Sequence, residues 1–160
     1  MPDNLFLYFF IAIILFHIIP GLFFLNQKKK LVSIYKQKDS ILLENIAGTI
    51  ITENGFLKKN YRWCKFDLMI NQNSIFIFPK DLYFIPARVI NLIFSYSDKE
   101  NNPKRAELLR DFKIGKNTVE LIYYPKILLA RSQKIQLTNL TQEQISILEN
   151  SFDGKVRRMR

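Results

Sequence analysis

The chain has 160 residues, 24 basic against 14 acidic side chains and a formal charge of +10. One cysteine, Cys64, and one histidine, His17, exclude an internal disulfide, a cysteine-based zinc site and a Cys-His catalytic pair in the body of the chain. The charge favours anionic partners, lipid headgroups or nucleic acid.

The first element is Leu5 to Leu25, uncharged and almost wholly apolar on every side. About 20 helical residues cross a bilayer's hydrocarbon core, so residues 1–27 are expected to form a single transmembrane helix. Met1, Pro2, Asp3 and Asn4 offer no positive leader segment and no small-residue cleavage site follows, which favours an uncleaved anchor. Lys28, Lys29 and Lys30 follow at once and set the orientation: N-terminus outside, the rest cytoplasmic, as in a bacterial inner-membrane protein. His17, inside the span, reads either as a functional ionisable group or as a neutral ring bonded to a carbonyl or a partner helix. Pro20-Gly21 is expected to kink the helix or loosen its last turn. Residues 28–40 are read as a basic juxtamembrane linker, into which helical spacing of Leu31, Ile34 and Tyr35 extends.

From Ile41 short apolar runs alternate with turn signals, the mark of an all-β domain over residues 41–153. Ile46 to Thr52 reads as a strand and Asn54-Gly55 as a hairpin turn. Cys64, Phe66, Leu68 and Ile70 alternate with Lys65, Asp67 and Met69, so one face is apolar. Asn71 to Ser74 is a turn, Ile75 to Phe78 a buried strand that Pro79 is expected to end. Tyr83 to Ile85 and Val89 to Tyr96 read as one bent strand, followed by a polar loop over Ser97 to Lys104. Gly115-Lys116-Asn117 joins Glu107–Ile114 to Thr118–Tyr124 as a hairpin. Ile127 to Ala130 and Lys134 to Leu137 bring the count to about seven strands.

The period then switches. Thr141 and Gln144 make a capping box, Leu140 and Ile145 a hydrophobic staple. Ile145, Leu148 and Phe152 recur at helical spacing and Gly154 is placed to end the helix. The last residues, 154–160, form a basic tail in which Arg157 and Arg158 read either as solubilising charge or as a membrane or partner contact.

Gly55-Phe56-Leu57-Lys58-Lys59, then Tyr61-Arg62-Trp63-Cys64-Lys65-Phe66, followed by strands and one C-terminal helix, resembles the pleckstrin homology (PH-like) superfold, and the layout is similar to bacterial PH-like and GRAM-like domains tethered to a membrane helix. The resemblance implies a partly open barrel with a capping helix, and a lipid or partner site at Lys58, Lys59, Arg62 and Lys65. The chain departs from the family in lacking a tryptophan in the terminal helix and in having a strand ahead of the Gly-x-Leu element. Trp63 is expected in the sheet core, with an interfacial anchor as the alternative.

No nucleophile–base pair, phosphate loop, zinc signature or dinucleotide fingerprint is present, so no catalytic residue, metal or cofactor is expected. Asp67, Glu107, Asp111 and Glu120 fall at surface-like spacings. The function expected is a non-catalytic, membrane-tethered module binding anionic headgroups or a neighbouring protein. The alternative is an accessory subunit packed against other membrane proteins. No nucleic-acid groove is discernible.

Overall fold

The computed structural model describes residues 3–54, 58–81, 85–99, 105–125 and 131–159; the side chains of 3–5, 7, 10–18, 54, 58 and 131 fall outside that description. The strands are β1 (Ile41–Asn54), β2 (Lys58–Ile70), β3 (Ser74–Asp81), β4 (Ile85–Pro86), β5 (Ile90–Ile93), β6 (Ala106–Ile114), β7 (Val119–Tyr123), β8 (Arg131–Thr138) and β9 (Arg157–Arg158). The helices are α1 (Asp3–Tyr35) and α2 (Gln142–Phe152).

Seven strands close into a barrel. The order β2-β1-β8-β7-β6-β5-β3 returns to its start because β3 also pairs with β2. Neighbours are antiparallel except β5 and β6, which run parallel over Asn91–Ile93. The ring is thus fully paired, which removes the exposed strand edges of an open barrel. The hairpins β1–β2 and β6–β7 fall where expected. Gly115 N–H donates to the Thr118 carbonyl at 2.8 Å, while residues 55–57 of the first turn lie outside the described residues. Pro79 does not end its strand; β3 runs on to Asp81, with Pro79 opposite Phe66. The predicted bent strand is two short ones, and a 3-10 turn over Tyr96–Lys99 replaces its end; Tyr83, Phe84 and residues 100–104 and 126–130 lie outside the described residues.

Alternation fills the barrel. Cys64, Phe66, Leu68 and Ile70 all point inward, joined by Leu92, Leu109, Phe112, Leu121, Ile135 and Leu137. α2 plugs one end with the three residues its periodicity selects, Ile145, Leu148 and Phe152. The capping box is formed: Gln144 N–H donates to Thr141 Oγ1 at 3.2 Å and Thr141 N–H to Gln144 Oε1 at 3.0 Å. Gly154 takes a left-handed φ of 70°, as a helix C-terminus favours. The basic tail is held to the barrel as well. β9 runs parallel to β6, Arg157 pairs with Asp111 at 2.9 Å and Arg158 with Glu149.

α1 is continuous through Pro20 to Tyr35, so most of the expected linker is helix. Leu31, Val32 and Tyr35 pack on the outer-face residues Met69, Phe76 and Phe78. Towards its N-terminus the helix meets Asp67 at Lys28 and then β4 at Gly21, where an added Cβ would lie 3.9 Å from Pro86 Cδ. Among the described residues no helix is long and apolar enough to cross a membrane. The side chains on which the expected span mainly rests, His17 included, lie outside them.

Candidate functional site

Two sites emerge, a seam and a mouth. The seam lies between α1 and the barrel and centres on Asp67. Strand alternation sends this carboxylate to the outer face, where α1 covers it until its side chain is only 5% exposed. It accepts from Lys28 Nζ at 2.7 Å, Lys80 Nζ at 2.8 Å and the Asn45 N–H at 2.9 Å. Asn45 sits at a β-bulge in β1 with φ of 58°, and its own Oδ1 accepts from Lys80 at 2.9 Å; asparagine tolerates that left-handed conformation better than most residues. Burial pushes the Asp67 carboxyl up, but the bonds from Lys28, Lys80 and Asn45 outweigh it and hold the group below its ordinary range. Asn71 Nδ2 donates to the Tyr35 carbonyl at 2.9 Å and fixes the far end of the docked helix. Sequence reasoning placed Asp67 on the surface. The available signal was a carboxylate in mid-strand between Phe66 and Leu68, where Asp is disfavoured.

The mouth is the barrel end opposite α2. The inward positions of the last layer, which would carry apolar side chains in a filled barrel, are here Thr52, Asn60, Arg62, Glu107, Tyr123 and Gln133. With Arg88 and Arg105 they line a cavity of about 520 Å³, walled on one side by Ile50, Val89, Ile90 and Pro125. A hydrogen-bond chain crosses it: Tyr123 Oη donates to Gln133 Oε1 at 2.5 Å, and Gln133 Nε2 to Thr52 Oγ1 at 3.2 Å. Burial, then Glu107, push the Tyr123 phenol up above the usual tyrosine range, with Arg62 and Arg88 opposing.

The expected basic cluster is divided by this geometry. Arg62 belongs to the inward face and its Nε pairs with Asp81 at 3.2 Å. Lys59 and Lys65 belong to the outer face of β2, where Lys59 pairs with Glu53 at 3.0 Å. The Lys58 side chain lies outside the described residues. Arg157 and Arg158 stand near the α2 end, away from the mouth. Of the three lysines expected to follow a membrane span, Lys28 is committed to Asp67, and Lys29 and Lys30 are exposed. Trp63 is not in the core: it is 67% exposed on the outer face, beside the similarly exposed Tyr61. Alternation explains the correction, since Trp63 is out of phase with Cys64 and Phe66. Arg88 and Arg105 were missed because nothing local marks them; neither lies in a strand, Arg88 standing between β4 and β5 and Arg105 just ahead of β6, and the closure of the ring brings both to the mouth. Cys64 is fully buried, and burial above all raises its thiol pKa. Among the described residues no group of three His, Cys, Asp or Glu side chains is placed to hold a metal ion.

No family model and no curated protein matches the chain. Among solved structures it is similar to the hSac2 domain from human phosphoinositide phosphatase Sac2, with a TM-score of 0.39 and 11% sequence identity over 84% of this chain and 87% of that one. A likeness at that level carries no argument about function.

Proposed function

We propose that the chain is a non-catalytic, membrane-tethered binding module: a PH-like barrel held at the cytoplasmic face of the bacterial inner membrane, mouth towards the bilayer, where it meets anionic headgroups. The observation that carries this is the path of α1. Its successive turns from Tyr35 back to Gly21 pack along the barrel from the α2 end towards the mouth. The segment from Asp3 to Pro20 then has a length of about 27 Å at helical rise, near the thickness of a hydrocarbon core. Phe6, Phe9, Ile19, Leu22 and Phe23 are large apolar side chains left exposed along this helix, a patch that water does not favour. On this reading the bilayer begins near Gly21 rather than at Lys28, so the level of Pro86 and Arg88 is the headgroup level.

The test is extraction of membranes carrying the full chain with alkaline carbonate. The protein should stay in the pellet; its release into the supernatant would overturn the tether. Protease added to intact cells should spare the barrel, and digestion of it would reverse the orientation.

A further inference from the structure

We infer that the barrel mouth binds a phosphate ester, seated inside the ring of strands and not on the outer face of the first hairpin. Four observations converge. The cavity of about 520 Å³ lies within the roughly 300–1,000 Å³ typical of small-ligand sites. Its charged lining is three arginines, Arg62, Arg88 and Arg105, against one carboxylate, Glu107. Arg88 and Arg105 join none of the ion pairs formed among the described residues. The Tyr123–Gln133–Thr52 chain is directional. It occupies the Gln133 carbonyl oxygen with the Tyr123 hydroxyl, and leaves the Thr52 hydroxyl, which accepts from Gln133, with its own proton to donate.

What the cavity offers is therefore mainly donors and positive charge. Guanidinium forks match the paired oxygens of a phosphate, and Arg88 and Arg105, beside an Arg62 whose Nε is already paired with Asp81, suit a doubly charged oxyanion better than a single carboxylate. The apolar wall of Ile50, Val89, Ile90 and Pro125 leaves room for the carbon skeleton of an ester. The inference deepens the proposed function if the ester is a lipid headgroup, yet it stands without the tether if the ester is soluble.

The experiment uses the full chain in a maltoside detergent, which contains no phosphate, with isothermal titration and phosphorus-31 line broadening as readouts. The probes are glycerol 3-phosphate, dihexanoyl phosphatidic acid and inorganic phosphate. Both esters should bind, and Arg88→Gln and Arg105→Gln should each weaken binding about tenfold or more, the scale of a lost charge-assisted hydrogen bond. Thr52→Val should weaken it about threefold to tenfold at matched thermal stability. Lys116→Gln, an equal loss of charge in the turn after β6 at the α2 end, should leave it unchanged. Phosphatidic acid binding far tighter than glycerol 3-phosphate assigns a lipid headgroup, and equal binding assigns a soluble ester; either supports the site. Absence of binding by both esters at millimolar concentration would overturn it. So would inorganic phosphate binding as tightly as the esters (an adventitious ion only), or Lys116→Gln weakening binding as much as Arg88→Gln.

Discussion

Replacing Asp67 by Asn removes the charge on which the seam turns while keeping the side chain's size. Two ammonium groups then face each other without a carboxylate, Lys28 at 30% exposure and Lys80 at 22%. Removing one partner of a fully buried ion pair costs about 3–5 kcal/mol. Both lysines keep some water, and Asn retains an acceptor for the Asn45 N–H, so a cost of about 2–3 kcal/mol is expected after discounting for screening. The loss should be local to the seam. Hydrogen exchange of the full chain in detergent should show protection falling over Lys28–Tyr35 of α1, with core amides of β7 and β8 little changed. The pH dependence gives a second readout. The Asp67 carboxyl is held below its ordinary range, so its contribution is complete above the unfolded value of about 3.9. It is lost as pH falls through the still lower folded value. Docking of α1 in the parent should therefore hold at pH 5 and weaken below about pH 4, and Asp67→Asn should flatten that acid limb. Equal protection of Lys28–Tyr35 in parent and variant at neutral pH would refute the reasoning.

Gly48 stands where β1 and β8 approach closely: an added Cβ would run into the Gln136 carbonyl oxygen and lie 2.9 Å from Phe66 Cε2. Gly48→Ala should lower stability by about 2–3 kcal/mol in urea titration. Thr141→Ala removes one half of the α2 capping box and should cost about 1 kcal/mol by the same assay. The Cys64 thiol, fully buried and with its pKa raised, should resist a thiol reagent at pH 8 until the barrel is unfolded; rapid labelling of the native protein would contradict its placement.

Much of the fold was written locally. Thr141, Gln144, Ile145, Leu148 and Phe152 specify α2 because a capping box and a helical stripe are properties of a dozen consecutive residues. The inward face of β2 was equally legible, since alternation needs no knowledge of the neighbouring strand. Closure of the ring was not legible: it rests on β3 pairing with β2 on one side and β5 on the other, and on a parallel contact between β5 and β6. Such pairings depend on how loops return the chain, and loop composition carries little of that.

The candidate sites divide in the same way. The sequence alone determined that an apolar helix precedes a run of strands and that a capped helix follows them, because these follow from composition and period. Only the tertiary structure decided that α1 lies along the barrel, which turns Asp67 from a surface carboxylate into a buried partner of two lysines. It also decided that Arg62, Arg88 and Arg105 meet at one mouth while Lys59, Lys65, Arg157 and Arg158 go elsewhere. The reason is geometric. A strand's phase fixes which face a side chain takes, but what lies across from that face is chosen by elements remote in sequence, whose meeting no local pattern records.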